Sequence, residues 1–224
     1  MRLYSALRIG FLIAAALCLC VQGQNAPGKD AQIEARGMPP RATPADYQAQ
    51  AQAGTVTFAA EFKGHSVPTV QGTLSTEDFV VVETGLFGST GAHLKISAED
   101  FSLRINGKKA PLPSQPYGLV VGSVKDPEWE PPLPTASKSK TSLAGSGKGA
   151  EGDSNTPPAP VKVPIEMQRA MAKSVQRAVL PEGDRALPQA GLIFFSYRGK
   201  AQGIHAVELI YAGPAGQATV KLRP

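Results

Sequence analysis

Three histidines, a serine beside the first of them and two pairs of adjacent acids are where a reaction centre would have to be sought in this chain. Metal chelation usually needs a second histidine or a carboxylate three or four residues on along a helix. His65, His93 and His205 have no such neighbour. Glu208 lies three after His205, but in an expected strand, where that spacing sends side chains to opposite faces. Ser66 stands in Gly64-His65-Ser66-Val67-Pro68. A nucleophile elbow wants glycine two residues after the serine, on a strand-to-helix turn; Pro68 occupies that position. Glycosidases hold two carboxylates about 5–10 Å apart across a cleft, and adjacency in Glu77-Asp78 or Glu99-Asp100 does not supply that. Gly145-Ser146-Gly147-Lys148-Gly149 has the look of a phosphate-loop ending, but Ser142 replaces the required glycine and Gly149 the required hydroxyl. The expectation is therefore no catalytic, metal-ligating or cofactor-binding residue, and no enzyme. Triads assemble in space rather than along the chain, so a secreted hydrolase with a loop-built site stays open as an alternative.

Binding chemistry has more candidates. Arg169, Lys173 and Arg177 recur every four residues, opposite a stripe of Met167, Met171, Val175 and Ala178. A helix over 165–179 would carry both faces. One reading lays the basic face on an anionic membrane or polymer. The other packs the methionine face across an open end of the fold and leaves the charges in water. The apolar side lacks Trp, Phe and Leu anchors, and the second reading is adopted. Trp129, Tyr117 and Tyr197 are the rings available to stack on a sugar; Trp129 lies between prolines and is read equally well as exposed or as packed.

The elements that must position these residues are mostly strands. Val56, Phe58, Ala60 and Phe62 alternate, as do Phe101, Leu103 and Ile105. Residues 78–87 are apolar on both faces, the pattern of a covered central strand. Asn106-Gly107 suits a tight type I′ hairpin turn. Further strands are expected at 119–121, 191–197, 204–211 and 218–222. Residues 126–164 hold 8 of the 20 prolines and a single aromatic. So few apolar groups cannot offset the entropy of ordering, and the stretch reads as a disordered insertion. Residues 24–53, rich in Ala, Gln, Pro and Gly, read as a flexible spacer. The strands on either side of the insertion, 54–125 and 165–224, are each too few to stand alone, and together supply the seven or eight of one two-sheet sandwich.

The first 23 residues read as an address. Arg2 and Arg8 precede a thirteen-residue apolar run, Ile9 to Val21. A spanning helix needs about 20 residues, so this is the length of a signal-peptide core, with cleavage expected before Gln24. Cys18 and Cys20, the two cysteines of the 224 residues, would leave with it. The remaining chain must then fold outside the cytoplasm without a disulfide, and with no transmembrane span. Losing Arg2 and Arg8 takes the net charge from +5 to +3, too mild to imply a nucleic-acid partner.

Ser97-Ala98-Glu99-Asp100-Phe101-Ser102-Leu103-Arg104-Ile105-Asn106-Gly107-Lys108 resembles the central strand and hairpin of immunoglobulin-like sandwich domains in uncharacterised exported bacterial proteins. Leu180-Pro181-Glu182-Gly183 followed by Gly191-Leu192-Ile193-Phe194-Phe195 resembles their later turn and crossing strand. The resemblance implies an all-β, immunoglobulin-like, two-sheet antiparallel sandwich over 54–224, exported to the periplasm or the medium, and brings no catalytic residues. The long insertion departs from that pattern. The expected role is a non-catalytic binding, adhesion or envelope-associated module, its partner an extracellular protein or glycan. A further alternative is a spacer whose insertion tethers to anionic wall polymer through Lys138, Lys140, Lys148 and Lys162, with Glu151 and Asp153 diluting that charge.

Overall fold

Apolar patterning accounts for the longer strands in the computed structural model, which describes residues 36–130 and 163–224. The expected address segment 1–23, residues 24–35 and residues 131–162 of the expected insertion lie outside the described residues. The strands are β1 (Ala49–Ala53), β2 (Val56–Gly64), β3 (Ser66–Thr69), β4 (Gly72–Thr76), β5 (Phe79–Phe87), β6 (His93–Ile96) and β7 (Phe101–Ile105). They continue with β8 (Leu112–Gln115), β9 (Val124–Lys125), β10 (Gly183–Ala186), β11 (Gln189–Ser196), β12 (Val207–Gly213) and β13 (Gly216–Leu222). Two helices complete the set, α1 (Tyr117–Val120) and α2 (Ile165–Ala178).

Eight strands form one antiparallel sheet in the order β1-β2-β5-β11-β8-β7-β12-β13. The short β8 is its hinge. Ser114 and Gln115 pair with Phe195 and Phe194 of β11, while Leu112 and Pro113 pair with Leu103 and Ser102 of β7. The sheet curls there until its outer strands β1 and β13 run side by side, and a nearly closed barrel results. Across that seam the Gln48 amide donates to the Arg223 carbonyl at 2.8 Å. Val80, Val82 and Leu86 of β5 face inward, against Phe101, Leu103 and Leu209 from the far half. Phe58 of β2 stacks on Tyr211 of β12 at 4.1 Å between ring centroids, which ties the two halves through the middle.

β5 is covered on both sides, as its composition requires. Its other face presents Phe79 and Val81, joined by Leu192 and Phe194 of β11, and these form a second apolar cluster. A small sheet, β3-β4-β9, and both helices close over it. Helix α2 follows its expected bounds closely and buries Val175 and Ala178. It covers this outer face of the central strands, however, and not an open end. Two strands facing outward with large apolar side chains need a lid more than the barrel ends do.

Two other expectations are corrected. Residues 119–121 are not a strand: Pro116 accepts a hydrogen bond from the Leu119 amide at 3.0 Å, opening α1. Only Val120 of the three is buried, so no strand alternation exists to satisfy. The spacer reading of 24–53 fails over its described part. Met38 bridges to Ala190, Tyr47 is buried, and β1 pairs along its whole length with β2. The alternation was present as Ala49, Ala51 and Ala53 between glutamines, but alanine is too small to mark a buried face by composition. The Asn106-Gly107 turn has both residues at positive φ, 52° and 66°, as type I′ geometry demands. It does not close a tight hairpin, because β7 and β8 pair only five residues further on.

Candidate functional site

The histidines are placed apart. His65 lies between β2 and β3 with Nδ1 2.8 Å from the Phe79 carbonyl and Nε2 3.0 Å from the Gly199 carbonyl. Both ring nitrogens thus face acceptors, whereas a base for Ser66 must offer a lone pair. His93 and Asp184 approach to 3.4 Å across the exposed β6-β10 ladder. His205 uses its backbone amide, which donates to Asn106 Oδ1 at 2.7 Å. Glu208 pairs with Arg104 at 2.9 Å rather than with His205. Among the described residues no three His, Cys, Asp or Glu side chains gather as a metal site.

The acidic pairs are divided in the same way. Glu77 bonds Lys125 and Asp78 bonds Arg198, both at 2.9 Å. The Glu99 amide is capped by Ser97, and partial burial pushes the Asp100 carboxyl above its ordinary range, more than the hydrogen bond from the Ser97 backbone lowers it. Tyr117 packs into the second apolar cluster, and Tyr197 lies beside His65 with ring centroids 6.3 Å apart. The three rings therefore do not form one platform. Trp129 is half-buried, in a cavity of about 270 Å³ with Met167 and Met171 of α2.

That cavity opens beside a larger one. Between α2 and the β3-β4 hairpin runs a cleft of about 500 Å³. Leu74, Met167 and Met171 line it, together with Asp126, Glu128 and Glu166. Sequence spacing marked the methionines, but as the packing face of the helix. The helix is turned so that Val175 and Ala178 take the core and Met167 is only half-buried. At the other end of α2 a pocket of about 270 Å³ is lined by Met38, Val70, Ala178, Arg36 and Arg177. The expected basic stripe is thereby split: Arg169 and Lys173 point into solvent while Arg177 is half-buried in this pocket. Ser174, 5% exposed, lines both, its hydroxyl donating to the Ala170 carbonyl at 2.9 Å and touching the Gln71 amide of the hairpin.

A charged cluster that composition did not reveal lies further along the outer face of β5. Glu61 and Glu83 are direct cross-strand partners, a pairing that is unfavourable unless neutralised. Arg41 donates through Nε and Nη2 to Glu83 at 3.2 and 3.0 Å and also contacts Glu61. Lys63 bonds Glu61 at 2.7 Å and Glu83 at 3.2 Å. Those hydrogen bonds hold the Glu61 carboxyl below its ordinary range against the opposing effect of burial, which is the largest single influence. The guanidinium also sits 4.4 Å from the Tyr47 ring centre, and burial pushes the Tyr47 hydroxyl up. That ring lies so close over Gly85 that a Cβ there would stand 2.7 Å from it. The cluster fastens residues 41–47 to the sheet. Glu83, the single charged residue of β5, was the available signal that a cation must come from elsewhere.

No described helix is long and apolar enough to cross a membrane. No family model, no curated protein and no solved structure matches the chain.

Proposed function

We propose that this chain is an exported, non-catalytic binding module of immunoglobulin-like kind, and that it takes its ligand in the cleft between α2 and the β3-β4 hairpin. The observation that carries the reading is the cleft itself: about 500 Å³, within the range of ligand sites, and lined by apolar side chains together with hydroxyls and carboxylates. The kinship to immunoglobulin-like domains draws support from the two halves of the sheet facing each other over one core, and from the positive-φ turn at Asn106-Gly107. Export draws support from the apolar run after Arg8 and from the confinement of both cysteines to it. The step from such a fold to a binding role is one of analogy.

A binding screen of the purified chain against envelope glycans and proteins, run beside a Met171→Arg variant, tests the reading. Met171 is half-buried at the cleft, so the variant keeps Val175 and Ala178 in the core. The expected result is a ligand retained by the wild type and lost by the variant at unchanged circular dichroism. Turnover of an ester, glycoside or peptide that Ser66→Ala abolishes would overturn it.

A further inference from the structure

Ser174, buried and touching Gln71 of the hairpin, stands between the cleft and the pocket of about 270 Å³ at the C-terminal end of α2. That pocket is therefore a cavity with its own chemistry. Met38, Val70 and Ala178 give it apolar walls, and Arg36 and Arg177 bring two guanidinium groups to the same lining. Arg41, Arg104 and Arg198 each hold a carboxylate. Among the described residues neither Arg36 nor Arg177 has such a partner.

The last turn of a helix suits a cation, which accounts for Arg177. It does not account for Arg36, which arrives from another segment. That segment is fixed: the Met38 amide donates to the Ala190 carbonyl at 2.8 Å, and Gly37 has a φ of 75°. A Cβ on Gly37 would collide with the same Ala190 oxygen. Only glycine passes there, and the chain so pinned brings Arg36 to the pocket. Two like charges facing one partly apolar cavity repel unless an anion lies between them. Val70, at the hairpin tip, is 73% exposed, an apolar wall that a ligand's tail would cover.

Guanidinium groups offer paired donors that match a carboxylate. At about 30 Å³ per water-sized group, the pocket has room for about nine non-hydrogen atoms, a carboxylate and about six further carbons. We infer that this pocket is a second binding site, independent of the cleft, for a small free carboxylic acid with an apolar tail. The carboxylate lies between Arg36 and Arg177, and the tail against Met38, Val70 and Ala178.

The test is an NMR titration of the whole chain with heptanoate, which is expected to move the amide signals of Gly37, Val70 and Ala178. Heptanamide, acetate and inorganic phosphate should each bind at least about tenfold more weakly, because each lacks either the charge or the tail. In Arg36→Gln/Arg177→Gln, heptanoate and heptanamide should bind alike. Lys173→Gln removes a solvent-facing charge from the same helix and should leave the heptanoate affinity within about twofold. Val70→Asp sets a like charge beside the carboxylate without touching the core, and should weaken heptanoate more than heptanamide. Circular dichroism checks the fold of each variant. Heptanamide or phosphate binding the wild type as well as heptanoate overturns the inference, as does a heptanoate preference that survives loss of both arginines or vanishes in Lys173→Gln. No movement of the three amides overturns it outright. Should the double variant unfold, Val70→Asp decides, and an unchanged preference for heptanoate counts against the site.

Discussion

Replacing Arg41 by methionine removes the cation from between Glu61 and Glu83 while keeping most of the aliphatic stem. The side chain of Glu83 is 7% exposed and that of Arg41 28%. The change deletes two hydrogen bonds to a buried carboxylate, and leaves Lys63 alone to balance two acids directly opposite each other. Truncating one partner of a buried ion pair costs about 3–5 kcal/mol. With Lys63 still in contact, about 3 kcal/mol is expected. Urea denaturation at neutral pH should then show a midpoint lower by about 1.5 M, taking a slope near 2 kcal/mol per molar. Arg41→Met/Glu83→Gln removes one charge of each sign and should recover most of the loss. Glu61 carries a lowered folded value, so its share of the stability is present above the ordinary carboxylate pKa of about 4.3. That share disappears as pH falls through the lowered value, and the gap between wild type and Arg41→Met should close in acid. A variant within about 0.5 kcal/mol of wild type at pH 7, the usual effect of a neutral surface change, would refute the view that this network fastens residues 41–47 to the sheet.

The remaining predictions concern single side chains. Thr84 is fully buried and its Oγ1 has no hydrogen-bond partner among the described residues, so Thr84→Val should raise stability by about 1 kcal/mol; a lower unfolding midpoint would contradict this. Asn106 combines a φ of 52° with hydrogen bonds to Gly203, His205 and Ala206. Asn106→Ala should cost about 2–3 kcal/mol, measured by the same denaturation. Asp100 has a raised folded pKa, so ionising it costs stability as pH rises through the ordinary and then the folded value. Asp100→Asn should therefore raise the melting temperature at pH 7 and lose that advantage at pH 3.

Elements whose burial shows in their own side chains were legible beforehand. Phe79 to Leu86 could only be a covered central strand, and the spacing of Met171, Val175 and Ala178 could only be a helix with one apolar side. The positive φ at Asn106 and Gly107 follows from the two residue types that tolerate it. The strands missed, β1, β3, β4, β6, β8, β9 and β10, are two to five residues long. None carries more than two large apolar side chains, too few for a period to show, and each is stable only because a neighbour supplies the ladder. The same holds for the charged network: Arg41 and Glu83 are 42 positions apart, and nothing local in either announces the other.

Composition and periodicity settled that this chain is mostly β, where its central strand and its helix fall, and that its cysteines cluster at one end. Those properties depend on single residues meeting water or avoiding it, and each residue carries that preference with it. The curl of the sheet about β8, the seam at β1 and β13, the choice of which outer face α2 covers and the convergence of Asp126, Glu128 and Glu166 were decided by long-range pairing. A strand's register, and the partner it finds, depend on the surface another segment presents. That surface exists only once both are folded.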